Sequence, residues 1–398
     1  MKKTYSFRFT LTLMLAASAL VCMATALIFI RLSRPDDEIS VAARNYRMLL
    51  ELIDDVYIGR LDVGEVSDAA MRETVEALGD RWSYYLTSEE YAVYLDRANN
   101  RYAGIGIGVV IDDATGGMKV QYTYKGSAAE SAGLAAGDII TEIDGESICG
   151  MDLDEMRSLI ARPLGESVIL TVLSPDDTTK ALTVLYDYIF IDPVSYEMLD
   201  GDIGYIILSN FDTGSSDSFI SAANELIGQG ARAFVFDVRA NNGGRVDEMT
   251  GILDYLLPEG EIFVDVDRNG VEDITLSGPA FVDMPAIVIV DANSYSAAEY
   301  FAATLREYGY AEVVGVQTTG KNRVQKTWEM PWGGALHISS SQYLTKNRVS
   351  LYDAGGLTPD HQVGLTEEEY AMFMSGILRQ DTDPQLQKAL SLLGAAPK

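Results

Sequence analysis

Cysteine and histidine are nearly absent: the 398 residues hold two of each. Cys22 lies in an apolar N-terminal run and Cys149 far from it, so no disulfide framework exists. No cluster of histidine and cysteine has metal-site spacing, so neither a metal nor a cofactor is expected. Basic residues are also scarce. Thirty Lys and Arg stand against 59 Asp and Glu, a formal net charge of −29. That balance argues against a nucleic-acid partner and against broad adhesion to anionic lipid. Solenoid repeats and low-complexity tracts are missing. What is present is a hydrophobic content of 47%, enough for a sizeable core in two or three domains.

The shortage of histidine matters because a serine is a weak nucleophile until a base takes its proton. The usual base is histidine, and only His337 and His361 are on offer. A lysine can serve where its surroundings favour the neutral amine. Two short runs combine these residue types. Ser294-Tyr295-Ser296-Ala297-Ala298-Glu299 follows the apolar stretch 285–290, and Thr319-Gly320-Lys321-Asn322-Arg323-Val324-Gln325 follows the apolar stretch 313–316. Short β-branched runs of this kind read as buried parallel strands. A helix is expected to start near Ser296, with Tyr300, Phe301, Thr304 and Leu305 at helical spacing and Gly309 as its stop. Unpaired amides at such a helix start can hold an oxyanion. A third run has the same shape. The apolar stretch 233–238 leads into Arg239-Ala240-Asn241-Asn242-Gly243-Gly244 and a helix over about 246–257. Taken singly, each run reads as a helix cap or a solvated loop. Together and in order they carry more.

The ordered set resembles the carboxy-terminal processing peptidases, also called tail-specific proteases. Their pattern Asp-Leu-Arg-x-Asn-x-Gly-Gly corresponds to 237–244, Ser-x-Ser-Ala-x-Glu to 294–299, and Gly-Lys-Gly-x-Val-Gln to 320–325. The resemblance implies Ser296 as nucleophile, Lys321 as general base and Gln325 as the residue that orients the lysine. It implies an oxyanion hole from the backbone amides of Ala297 and of Gly243 or Gly244. Asn322 stands where the family has glycine, and asparagine tolerates a left-handed backbone. Thr319 replaces a common phenylalanine. Gly356-Leu357-Thr358-Pro359-Asp360 and the run 383–390 match the family's C-terminal motifs, and Gly79 to Leu86 partly matches Asp-Pro-His-Ser-x-Tyr-Leu.

A second resemblance covers 102–188, which is similar to a PDZ domain. Gly104-Ile105-Gly106-Ile107 matches the loop that receives a peptide's terminal carboxylate, and 132–145 matches the domain's most recognisable stretch. Residues 153–161 are the expected groove helix. A bound peptide would add a strand to the sheet edge. Leu173 stands where many family members have arginine.

Phe9 to Ile30 contains no charge and is long enough to cross a bilayer. Lys2, Lys3 and Arg8 precede it, which favours a catalytic part outside the cytoplasm. A cleaved signal peptide competes, with Ala24-Thr25-Ala26 as a cleavage site, but 27–30 stay apolar beyond it. The expected order is therefore a cytoplasmic N-terminus (1–8), a transmembrane anchor (9–30), a linker and helical region (31–101), a PDZ domain (102–188) and a serine peptidase core (189–398). The helical region can join a homodimer contact in the family. The resemblance makes the fold an α/β peptidase core of the Clp protease–crotonase type with a PDZ domain, an N-terminal helical region and one transmembrane helix. The expected protein is a single-pass membrane serine endopeptidase. It would cleave near free C-terminal tails or in unfolded segments of exported proteins, with PDZ-controlled recruitment or gating. The alternative is a membrane-anchored PDZ module that binds peptides on a peptidase fold without cleaving them.

Overall fold

The computed structural model describes residues 37–394. Residues 37–74 form one compact unit and residues 75–394 another. In the first, Asp37 caps the helix Glu38–Val56 by accepting the Ser40 amide at 2.7 Å. This 19-residue helix is amphipathic and carries Glu38, Arg44, Arg47, Glu51, Asp54 and Asp55. Among the described residues no helix is long and apolar enough to cross a membrane. The expectation of a transmembrane helix in the fold is corrected accordingly, and the run from Phe9 to Ile30 lies outside the described residues.

The larger unit contains a PDZ-type sheet and a peptidase core. Strands Ile107–Ile111, Met118–Thr123, Ile139–Ile143, Ser167–Leu173 and Thr179–Leu185 pair antiparallel in the order listed by sequence, leaving Ile107–Ile111 at an edge. Their inward residues, including Met118, Ile140, Leu170 and Val172, bury against Met156 of the helix Leu153–Ile160. Asp152 and Glu155 form a capping box that fixes the start of this helix. Two strands, Arg101–Gly104 and Asp187–Phe190, pair with each other on either side of the domain and tie its ends together.

The core is built on a six-stranded sheet. Ile203–Leu208, Ala233–Asp237, Ala286–Val290, Ala311–Gly315 and His361–Gln362 run parallel, and Val194–Leu199 adds an antiparallel edge. The two central strands, Ala233–Asp237 and Ala286–Val290, are apolar apart from Asp237 because both faces are covered. Phe234, Phe236, Val288, Val290 and Val313 face the helices Ser215–Gln229, Val246–Leu256 and Ala297–Glu307. Val235, Ile287, Ile289 and Val314 face Leu386 and Ala389 of the helix Pro384–Leu392. The period-2 alternation of a strand thus divides one apolar run between two cores. A second, antiparallel sheet joins Tyr84–Leu86, Ala335–Leu344, Gly260–Val266 and Glu272–Ser277, with Arg323–Glu329 on the central strand Ala335–Leu344.

One buried ionic cluster fastens the C-terminal helix to the sheet. The Arg239 guanidinium donates to Asp237 Oδ1 at 2.9 Å and to Gln385 Oε1 at 3.0 Å, and pairs with Asp383 at 2.8 Å. Tyr205 adds its hydroxyl to Asp237 at 2.7 Å. Removing the cation would leave two carboxylates buried without their partner, so Arg239→Ala should destabilise the protein by about 3–5 kcal/mol. Urea unfolding of the purified variant measures this. A loss below about 1 kcal/mol would show that the cluster does not hold the helix in place.

Candidate active site

The three runs singled out in the sequence leave the C-terminal ends of three neighbouring parallel strands, the usual position of ligand sites in open α/β sheets. Residues 238–245 follow Ala233–Asp237, residues 291–296 follow Ala286–Val290, and residues 316–322 follow Ala311–Gly315. The first two loops are stitched together. Ser294 Oγ donates to Val238 O at 2.7 Å, Asp291 Oδ1 accepts the Ala240 amide at 3.0 Å, and Asn241 O accepts the Tyr295 amide at 3.2 Å.

Ser296 caps the helix Ala297–Glu307 with φ 58° and ψ −124°. Positive φ is costly for a residue with a Cβ, by roughly 1–3 kcal/mol, and such strain clusters at functional sites. Gly243 lies directly against it: a Cβ at Gly243 would come within 2.7 Å of Ser296 Cβ and 2.9 Å of the Ala297 amide nitrogen. Glycine is therefore required at 243 by close approach. The Gly243 amide is committed to Asn241 Oδ1 at 2.8 Å. Gly244 forms a parallel bridge with Phe211 in which the bonds use Gly243 O and the Arg245 amide. The Gly244 amide takes no part in that bridge, and the Ala297 amide opens its helix.

Lys321 is buried, and its loop is held by a side chain that sequence reasoning quoted without giving it a role. Glu299, in the first turn of the serine's helix and fully buried, accepts the Gly320 amide at 2.7 Å, the Lys321 amide at 3.0 Å and the Thr318 hydroxyl. Burial pushes its carboxyl above the ordinary range, against these hydrogen bonds. Its signal in the sequence was a lone acid in a helix otherwise free of charge as far as Leu305. The Tyr343 hydroxyl donates to Lys321 O, and Ser296 lies on the same phenol. Nothing in the sequence marked Tyr343. Asn322 does not have a positive φ, so no left-handed turn is needed where the family has glycine. Its side-chain amide donates to Ser350 Oγ at 3.1 Å.

The Lys321 ammonium faces aromatic rings. Its Nζ lies 4.4 Å from the centroid of Trp82 and 5.9 Å from that of Tyr295. Burial lowers its pKa to about 8, with the Arg81 charge acting the same way and Asp80 opposing. Among the described residues no hydrogen bond joins Nζ to Ser296 or to Gln325. The Gln325 amide instead donates to Ser339 Oγ at 3.2 Å and to Arg323 O at 3.1 Å. The two histidines are engaged elsewhere. His337 bonds Thr327 Oγ1 at 2.8 Å, and burial followed by the Lys321 charge takes its pKa down to about 4. His361 bonds Glu312 at 2.6 Å on the sheet-edge strand.

Gly104, Ile105, Gly106 and Ile107 line a cavity of about 520 Å³ together with Met118, Arg157 and Ile160, between the open edge strand and the helix Leu153–Ile160. Gly106 has φ 85°, and a Cβ there would meet Ser127 Cβ at 2.3 Å.

The sequence pattern of peptidase family S41 matches residues 202–363, and that of the PDZ domain matches residues 120–174. A carboxyl-terminal-processing protease of Picosynechococcus sp. is 32% identical over 330 residues, covering 81% of this chain and 78% of the relative. A protein of the same description from Synechocystis sp. is 29% identical over 349 residues, covering 86% of this chain and 80% of the relative. A solved structure from Bacteroides fragilis, described as an S41 protease, shares the fold with TM-score 0.52 at 18% identity, over 85% of this chain and 92% of that one.

A lysine acts as a base only when neutral. With a pKa of about 8, only about a tenth of Lys321 is neutral at pH 7, and that fraction grows as pH rises. Peptidase activity governed by this residue should therefore climb through a limb centred near pH 8 and level off above it. Lys321→Arg should be inactive at every pH, because guanidinium keeps its proton. A rising limb that persists in Lys321→Arg would assign the base to another group.

Proposed function

The chain belongs to the carboxy-terminal processing peptidases, serine-type enzymes of peptidase family S41, and on that premise we propose that Ser296 and Lys321 cleave peptide bonds near the C-terminal tails of protein substrates. The observation that carries this reading is the pairing of a strained serine at a helix start with a buried, partly deprotonated lysine from the adjacent loop. Neutral Lys321 takes the Ser296 proton as Oγ attacks the scissile carbonyl carbon. The oxyanion that forms is held by the Ala297 amide and by that of Gly244, since Gly243 already donates to Asn241. Lys321 then passes the proton to the departing amine, and an acyl-serine remains. Water enters, Lys321 takes a proton from it, and the acid product leaves as the serine is restored. Catalytic hydrogen bonds that are long without substrate tighten in the complex. That accounts for a lysine that is near the serine's turn yet not bonded to it. Gln325 reaches the lysine only indirectly, through Ser339, which bonds Asp80, the carboxylate that acts on the Lys321 charge.

The PDZ groove serves the same substrates. Its open edge strand can take up an extended tail, and the amides of residues 104–107 can receive a terminal carboxylate. Recruitment is the role this groove supports best.

Two measurements test the reading. Ser296→Ala and Lys321→Ala should each bring cleavage of an unfolded protein close to background, and the double variant should be no worse than either alone. Wild-type turnover by Ser296→Ala would assign the nucleophile to another residue, and absence of cleavage by the wild type would leave only peptide binding as the function. Gly106→Val should cut cleavage of tailed proteins while sparing short peptides, because the added side chain meets Ser127. Equal loss on both substrate classes would remove the recruitment role.

A further inference from the structure

The base has a cover that does not come from its own loop. Residues 79–83 form a tight turn ahead of the strand Tyr84–Leu86, and that strand pairs with Ala335–His337 of the second sheet. The pairing brings the turn over Lys321. The turn itself is well determined. Asp80 accepts the Ser83 hydroxyl at 2.6 Å and the Trp82 amide at 3.2 Å, and its backbone oxygen accepts the Ser83 amide at 3.0 Å. Ser83 Oγ in turn accepts the Ser339 amide at 3.0 Å. Ser339 also bonds Asp80, and it is the residue whose hydroxyl receives the Gln325 amide. One short network therefore connects Asp80, Ser339 and Gln325.

Trp82 sits at the top of this turn. Its ring is 5.5 Å from that of Tyr295, the residue before the serine. It faces two cations, Lys321 Nζ at 4.4 Å and Arg81 Cζ at 4.1 Å from its centroid. Thr319 contributes no such cover, because its hydroxyl is turned to Ala292 O at 2.8 Å.

We propose that the Asp80–Ser83 turn contains two positioning residues for the base, with Trp82 closing water away from Lys321 Nζ and Asp80 facing it as the counter-charge. The proposal rests on Lys321 being the base. The two residues act with opposite sign. Exclusion of water disfavours the ammonium. The indole face does attract a cation, but less than the water it displaces, so its net effect favours the neutral amine. The Asp80 carboxylate favours the ammonium. Burial works against its charge, but hydrogen bonds from Ser339, Ser83 and the Trp82 amide prevail and keep it below the ordinary carboxylate range.

The remaining groups around Lys321 are accounted for. Arg81 on the same turn opposes the ammonium, and Arg323 on the following strand acts on Asp80. Tyr295 comes from the serine's turn, and Glu299 meets the lysine backbone from the helix. His337 and Tyr343 come from the strand Ala335–Leu344. His337 is neutral through the range in which the lysine titrates, since its pKa is lowered to about 4, by burial first.

The test is the pH profile of kcat/KM for a short peptide substrate, measured for the wild type, Asp80→Asn, Trp82→Ala and Trp82→Phe, with circular dichroism to verify folding. Asp80→Asn keeps the acceptor for the Trp82 amide and removes the charge, so the rising limb should move to lower pH by about half a unit or more. Trp82→Ala admits water, so the limb should move to higher pH by about one unit, towards ordinary lysine. Trp82→Phe keeps an apolar ring and should hold the limb near its wild-type position. A purely structural role would lower activity without moving the limb. If Asp80→Asn and Trp82→Ala both leave the limb in place while Lys321→Arg is inactive, the proposal is overturned and the lysine reading stands. If Lys321→Arg keeps a rising limb, the lysine reading itself has failed. Should Trp82→Ala not fold, Asp80→Asn decides alone, and an unmoved limb in it overturns the proposal.

Discussion

The carboxylate of Glu299 is the interaction on which the site depends. It starts in the first turn of the serine's helix and ends on two amides and a hydroxyl of the lysine's loop. A buried acid without donors would be costly enough to reject the fold around it. With three donors it becomes a cross-link between the serine's helix and the lysine's loop, beside the bond from the Thr319 hydroxyl to Ala292 O. The partners are also mutual. Gly320 and Lys321 are buried, and without Glu299 their amides would lack acceptors in a place water does not reach. The spacing of the Ser296 turn and the Lys321 loop is thereby set by bonds from one carboxylate to two main-chain amides.

Around that cross-link the protein sustains two unfavourable states at once. Ser296 holds a backbone conformation that residues with a Cβ avoid. Lys321 has been taken from a pKa of 10.5 to about 8, a penalty on its charged form of about 3 kcal/mol. Neither would persist on a soft scaffold. Both sit at the ends of strands whose two faces are packed, one against three helices and the other against the C-terminal helix. The strain is local and the support is distributed, an arrangement in which function and stability compete least.

Much of this was legible in the sequence because the core strands are apolar on both faces and short, so that each chemical run begins where an apolar run stops. The helix after Ser296 and the loop before Lys321 could be placed that way. The turn over Lys321 could not. Trp82 lies more than 200 residues from Lys321 in the chain and reaches it only through the register of Tyr84 with His337, and strand register between distant segments leaves no periodic trace. Tyr343 was hidden for the same reason. Gln325 was readable as a family position, but its neighbour Ser339 follows from a register shift between Val324 and Gln325 on the paired strand. The N-terminal apolar run was plain in composition but lies outside the described residues, among which no helix is long and apolar enough to cross a membrane.

The C-terminal helix has a consequence for the order in which the enzyme comes into being. Leu386 and Ala389 cover the face of the sheet formed by Val235, Ile287, Ile289 and Val314, and Asp383 and Gln385 complete the shell around Arg239. During synthesis the serine and lysine emerge well before these residues do. Until then one face of the sheet that carries both loops is bare and the Arg239 shell is open. A ribosome-bound chain with its chemical groups already exposed therefore lacks a finished floor beneath them. The floor under both loops is finished only when the helix Pro384–Leu392 docks on the sheet.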